Sequence, residues 1–355
     1  DVRTRSDDEI AKMAREMEID IAIDLGGLTA DSRTDIFARR AAPIQINYLG
    51  YPGTMGAPYI DYIIADRHVI PQESASFYTE KVAYLPCFQV NDSKRGISER
   101  TFTRTELGLP EAGFVFCCFN NSYKITPGIF DAWMRILKQV EGSVLWLAES
   151  NPTATRNLQR EAIDRGVAVE RLVFAQRIPV PEYLARYRMA DLFLDTLPYN
   201  AGTTASDALW AGLPVLTCMG EAFASRMAGS LLHAIGLPEL ITHTQEDYEA
   251  LAIELATNPR KLQAIKARLG KNRLTMPLFD TKLFTSHIED AYSQIYERYQ
   301  AGLRPEHIHT VPPKFTNIPK SEPGPNSLAA QMQAKLQQAL ILHQKGQLAQ
   351  AQTLY

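Results

Sequence analysis

Gly202, Thr203, Thr204 and Asp207 stand in the stretch LDTLPYNAGTTASDALWAGLPVL, residues 194–216, where an apolar strand gives way to a helix-like run. A helix N-terminus presents unpaired N–H groups and a partial positive charge, which stabilise an anion by roughly 0.3 to 2 kcal/mol. Gly202 lets the backbone approach a ligand closely, and the two threonines add hydroxyl donors, a combination suited to phosphate. The same residues equally describe an ordinary helix end, with Thr203 or Thr204 as the cap, Gly202 as turn chemistry and Asp207 as a surface acid that complements the dipole. In the first role, Asp207 is placed to take a ribose hydroxyl. Lys124, in FNNSYKITP, follows another apolar strand and precedes another helix. Its ammonium either neutralises a departing diphosphate in the same crevice or sits in solvent as a loop lysine.

The elements that must position these residues alternate in type. Apolar strands at 114–120, 143–148, 171–175, 191–195 and 214–218 are separated by helical patterns at 127–140, 153–165, 181–189 and 204–211, which predicts a doubly wound parallel sheet of five strands. Ligands of such sheets sit outside the carboxyl ends of the strands. The loops after residues 119, 175 and 195 are therefore expected to share one crevice, lying wholly in this second domain. Upstream, a helix at 7–17, the strand IDIAIDL, a helix at 31–40, and the strands IQINYL and DYIIA predict the end of a first α/β domain. Residues 67–112 carry Pro71, Pro86 and Pro110 without sustained periodicity and read as a crossover or inter-domain segment. A helical pattern at 283–300 ends in Gly302, and a Pro-rich linker follows. In the last 28 residues Ala339, Gly346, Ala351 and Tyr355 fall at the spacing of one tetratricopeptide-like hairpin. The expected division is 1–105, 106–275, a helix at 276–302, a linker at 303–327 and a hairpin at 328–355.

Composition excludes several classes. With 37 basic and 40 acidic residues in 355 there is no electrostatic footprint for nucleic acid or an anionic membrane. The longest apolar runs are strand-sized, too short for a membrane span. The four cysteines are too few and scattered for a disulfide framework and fit a reducing, cytoplasmic setting. The chain opens DVRTRSDDE, without Met or an apolar signal segment, and reads as a piece of something longer. There is no Asp-x-Asp pair, His-Glu-x-x-His or Cys-x-x-Cys, so a diphosphate held by metal is not expected, and no G-x-G-x-x-G marks a dinucleotide-reducing domain. None of the seven histidines lies in the crevice loops. His68, His233, His243 and His287 read as structural or surface residues, and His307, His309 and His343 as parts of linker or repeat.

Taken together, APIQINYLGYPGTMGAPYIDYIIAD, FNNSYKITPGIFDAWMRILKQVEGSVLWL, ADLFLDTLPYNAGTTASDALWAGLPVLT, EAFASRMAGSLL and PLFDTKLFTSHIEDAYSQIYERYQAG resemble the catalytic region of the O-GlcNAc transferase and SPINDLY family from about residue 8 to 303. The resemblance implies a GT-B fold of two Rossmann-like domains and an inverting, metal-independent transfer of a sugar from a nucleotide donor to Ser or Thr hydroxyls of proteins, which tetratricopeptide repeats would select. It makes Lys124 the diphosphate lysine, places Thr203 and Thr204 at the diphosphate and Asp207 at the ribose, and puts Asn121 where a glutamine lies near the phosphate. It sets the backbone of Ile178 and the side chain of Arg186 around the base, and Gly27 against the sugar. Two positions depart from the O-GlcNAc transferases: Gly202 and Tyr183 stand where those enzymes have histidines. SPINDLY proteins, which use GDP-fucose, share the AGTT sequence but follow it with a glutamate where this chain has Asp207. UDP-GlcNAc is therefore the expected donor and GDP-fucose the alternative. The family's N-terminal catalytic segment, with its histidines, has no counterpart here, so the chain by itself is expected to be inactive or crippled.

Overall fold

A computed structural model describes residues 2–89, 91–310 and 338. The expected hairpin at 328–355, His343 and most of the linker lie outside the described residues. The chain begins with α1 (Asp7–Glu16), β1 (Ile21–Asp24), α2 (Asp35–Ala38), β2 (Ile44–Asn47), β3 (Tyr62–Ala65), β4 (Lys81–Tyr84), β5 (Val115–Cys118), α3 (Pro127–Gln139) and β6 (Val144–Ala148). It continues through α4 (Pro152–Asp164), β7 (Leu172–Ala175), α5 (Val180–Arg186), β8 (Leu192–Leu194), α6 (Thr203–Ala211), β9 (Val215–Cys218), α7 (Met227–Ala234) and β10 (Ile241–Thr242). It then passes through α8 (Gln245–Thr257), α9 (Pro259–Asn272), α10 (Thr281–Gln300) and β11 (Ile308–His309).

Two parallel sheets result, ordered β1-β2-β3-β4-β11 and β10-β9-β8-β5-β6-β7. Strands such as VFCC and VLTC are buried along their whole length because helices cover both faces, which is why they read as continuous apolar runs rather than alternating ones. Helix starts follow local chemistry. Ser6 and Glu9 form a reciprocal capping box before α1, and Asn151, Thr244, Asn258 and Asp280 each accept an N–H at the start of a helix.

Five expectations are corrected. Residues 67–112 contain β4, whose Val82, Ala83 and Tyr84 are buried between β3 and β11; its opening lysine and the polar, proline-flanked surroundings hid its apolar run. The second sheet has six strands, because β10 adds a two-residue edge to β9. The helix expected at 31–40 is a single turn, α2, and the one at 181–189 ends at Arg186, followed by a 3-10 turn, Tyr187–Met189. The linker expected from residue 303 includes β11, held to β4 by His307, whose Nδ1 accepts the Val82 N–H at 3.0 Å, and by His309, whose ring stacks on Tyr84 at 4.9 Å.

α10 returns to the first sheet, where Ala291 and Ile295 pack with Ile44, Ile46, Tyr62 and Ala83. The second core is larger, centred on Trp133 and Trp146. There Trp133 Nε1 donates to the Tyr248 hydroxyl at 3.1 Å, and that hydroxyl donates to the Asp195 carbonyl at 3.0 Å. The carboxyl ends of β1 and β2 meet backbone to backbone, since a Cβ on Gly50 would lie 1.9 Å from the Leu25 carbonyl oxygen. Gly50→Ala is expected to lower unfolding stability by on the order of 2 to 4 kcal/mol, read from urea midpoints. Gly128→Ala, in α3 with nothing within 4 Å of its Cβ, should instead gain up to about 1 kcal/mol. Equal stability of Gly50→Ala and the parent would show that the two strand ends do not touch.

Candidate functional site

β8 ends at Leu194, and the residue that follows, Asp195, is buried. Its Oδ1 accepts the N–H groups of Thr196 and Ala201, both at 2.7 Å, and the Asn120 amide at 3.3 Å. Its Oδ2 accepts the Thr217 hydroxyl at 2.7 Å. Burial pushes the carboxyl up to about 6, opposed by these donors and by the Lys124 charge. Asn120, just past β5, also donates to Thr196 Oγ1 at 2.7 Å and accepts the Thr204 hydroxyl. One carboxylate and one amide thus tie together the ends of β5, β8 and β9 and the first turn of α6.

Lys124 closes the short 3-10 turn Ser122–Lys124 after β5. Its ammonium donates to the Asn200 carbonyl at 2.9 Å and sits 3.7 Å from the centre of the Tyr199 ring. Burial pushes this amine down from its ordinary value, with the Asp195 charge opposing. Asn200 is two residues before Gly202, so the amine lies at the mouth of α6. Gly202 is the N-cap, and no side chain caps the helix. The threonine-cap alternative is therefore overturned: Thr203 is exposed, and the Thr204 hydroxyl is turned across to Asn120. A Cβ on Gly202 would fall 2.6 Å from Met227 Cε and 3.7 Å from Gln89 Oε1, an acceptor that is buried and unpartnered. A side chain at 202 would therefore have to push aside the flexible end of Met227.

Asp207, one turn into α6, is buried rather than a surface acid, and its Oδ1 accepts from Arg95 Nη1 at 2.6 Å. The crevice therefore does not lie wholly within 106–275. Gln89 and Arg95, from the segment before β5, enter it. Ile178 and Arg186 come together on a cavity of about 450 Å³ with Trp146, Phe174 and Gln176. The Arg186 guanidinium lies 4.3 Å from the Phe119 ring centre and 4.9 Å from that of Tyr183, and it donates to the Gln176 carbonyl at 2.7 Å. Tyr183 shares a 2.6 Å hydroxyl contact with Tyr187. Asn121 is exposed, and its side chain caps nothing.

Gly27 lies on the facing half. Its φ is +59°, its N–H donates to Asp24 Oδ1 at 2.9 Å, and a Cβ there would meet Tyr51 Cβ at 2.4 Å. A second cavity, about 640 Å³, opens between Tyr51, Thr54 and Tyr78 of the first half and Phe223 and Arg226 of the second.

Two parallel sheets in succession, with Lys124 brought to the start of α6 in the second, are the arrangement of the GT-B fold. The chain belongs to glycosyl transferase family 41, whose model matches residues 3–102 and 92–288. A probable UDP-N-acetylglucosamine–peptide N-acetylglucosaminyltransferase SEC of Arabidopsis thaliana is 40% identical over 318 residues, covering 88% of this chain and 32% of the relative. A probable enzyme of the same name, SPINDLY of Petunia hybrida, is 31% identical over 83% of this chain and 32% of its own length. A mutant O-GlcNAc transferase from Thermobaculum terrenum superposes with a TM-score of 0.77 at 33% identity, covering 85% of this chain and 58% of that one. The chain thus spans about a third of the curated relatives.

Asp195, Asn120, Asn200, Gln89 and Arg95 were not among the residues singled out from sequence. Asp195 is the last residue of the run DLFLD and Asn120 the neighbour of Asn121, but nothing in either run distinguishes a buried hub from a strand-end polar residue. The folded-state pKa of Asp195 lies above its ordinary 3.8, so its stabilising contribution is complete below that value and is lost as pH rises through about 6. Between those limits the parent should lose on the order of 2 to 3 kcal/mol that Asp195→Asn does not lose, measured as thermal stability against pH. Parallel pH profiles for the two proteins would assign the titration to another group.

Proposed function

We propose that this chain carries the nucleotide-sugar site of a protein O-glycosyltransferase, inverting and independent of metal, that transfers GlcNAc from UDP-GlcNAc to Ser or Thr hydroxyls. The single observation that carries this is the meeting of the Lys124 ammonium with the uncapped N-terminus of α6, two sources of positive potential joined at Asn200. The acceptor hydroxyl attacks the anomeric carbon from the face opposite the leaving group. The bond from that carbon to the diphosphate oxygen breaks, the electron pair leaves with the nucleoside diphosphate, and the hydroxyl proton passes to water. Negative charge then develops where Lys124 and the first amides of α6 point. A preorganised donor in a site shielded from water is worth about 3 to 4 kcal/mol of barrier.

Within this proposal Thr203 and the α6 amides hold the diphosphate, Asp207 the ribose, Ile178 and Arg186 the base, and Gly27 the sugar. Asn121, exposed beside the turn, supplies a phosphate contact. The names of the relatives support UDP-GlcNAc as donor. The AGTT sequence at the start of α6, which SPINDLY proteins share, gives GDP-fucose as the second donor. Acceptor proteins would be chosen by repeats at and beyond 328–355. A cytoplasmic setting is consistent with four buried free cysteines and with the absence, among the described residues, of a helix long and apolar enough to cross a membrane.

Calorimetry of the chain with UDP and GDP tests the reading: preference for UDP supports it, preference for GDP moves it to fucose, and binding of neither leaves a protein-binding scaffold. In the full-length protein, Lys124→Ala should lower kcat about 100- to 1000-fold with a much smaller change in donor affinity. An unchanged kcat with a raised KM would contradict the role given to Lys124.

A further inference from the structure

The segment joining the two sheets does not loop into solvent. Across residues 91–100 it is strapped to α5 and α6. Asn91 Nδ2 donates to Ser206 Oγ at 2.7 Å, Trp210 Nε1 to the Arg95 carbonyl at 3.2 Å, and the Ser98 N–H to the Pro181 carbonyl at 2.9 Å. These contacts deliver one side chain to the nucleotide crevice. Arg95 Nη1 lies 2.6 Å from Asp207 Oδ1, with the two side chains only 22% and 8% exposed. The other donors of this guanidinium, Nε and Nη2, are buried and have no acceptor among the described residues. Burying N–H groups of a cation without acceptors is costly, and such groups call for a partner beyond the described residues.

We propose that Arg95 belongs to the nucleoside site, holding the Asp207 carboxylate for the ribose hydroxyls and turning its unpartnered Nε and Nη2 donors to oxygens of the same nucleoside. This rests on the nucleotide-sugar assignment above and adds to it a residue from outside the second sheet. The charge balance around Asp207 supports the role. Burial pushes its carboxyl up and Arg95 opposes that rise. The other titratable groups acting on it, Tyr183 on α5 and Tyr187 just after it, are phenols kept neutral by burial. Arg95 is thus the cation that faces Asp207 among the described residues. Without it, Asp207 retains its proton to higher pH and loses acceptor strength from the acid side.

The experiment is calorimetry of the whole chain with UDP and with GDP at about pH 5.5 and about pH 8, on the parent, Arg95→Lys, Arg95→Met and, as a control on the same strap, Lys94→Met. Arg95→Met is expected to weaken the better-bound diphosphate at least about tenfold at the higher pH and several-fold more at the lower. Arg95→Lys, which keeps the charge but not the forked donors, should remove the extra loss at low pH while leaving affinity reduced. Lys94→Met, at an exposed position of the strap, should bind as the parent does. A dideoxyribose analogue of the same diphosphate should bind the parent weakly and lose little further in Arg95→Met. Parent-like affinity of Arg95→Met at both pH values overturns the proposal while leaving the nucleotide site intact. If Arg95→Met fails to fold, parent-like affinity of Arg95→Lys for both the diphosphate and its dideoxy analogue does the same. Failure of the parent to bind either diphosphate overturns the nucleotide site itself and the role of Arg95 with it.

Discussion

Asp195 is the constraint on which the crevice depends. A carboxylate taken out of water is tolerated only when its oxygens are satisfied, and here every donor that satisfies it comes from an element the site must hold in place. The Ala201 N–H fixes the turn that feeds α6, the Thr217 hydroxyl fixes β9, and the Asn120 amide fixes the end of β5 next to Lys124. Nearby, Tyr248 reaches the Asp195 carbonyl from α8. The positive seat is thus built around a negative centre one layer deeper. Such an arrangement stiffens the donors before any ligand arrives, and electrostatic stabilisation of a leaving group requires that stiffness.

The larger elements were legible from residues alone because the helices of the second half are amphipathic and its strands are uninterrupted apolar runs. α3, α4, α6 and α10 begin and end within two residues of their expected positions. What escaped were β10 and β11, two residues each, and β4, no shorter than strands that were read but opening on a lysine in a polar, proline-flanked segment; each is a strand only because a neighbour supplies a ladder. In the site, Gly202, Thr204, Asp207 and Lys124 carried a chemical signature and are brought together. Arg95 and Gln89 carried none. They lie about a hundred residues from their partners along the chain, in a polar segment with no pattern, and only the strapping of that segment against α5 and α6 reveals them.

The same strapping revises the division of the molecule. A boundary at residue 105 follows the composition, but by contacts residues 91–100 belong with the second sheet. Conversely, α10 lies late in the chain yet packs on the first sheet. Each half is completed by a piece of chain that composition would assign to the other or to neither.

The pairing of β11 with β4 joins residues 225 positions apart, with the whole second sheet made in between. During synthesis the first sheet therefore waits with β4 as an open edge until residue 309 has emerged, the kind of long-range closure that slows folding and exposes ladder groups to wrong partners. The edge left waiting is only four residues long and begins with an exposed lysine, two features that discourage another strand from adding to it. The order in which the chain leaves the ribosome thus gives the brevity of β4 a use that the finished fold does not reveal.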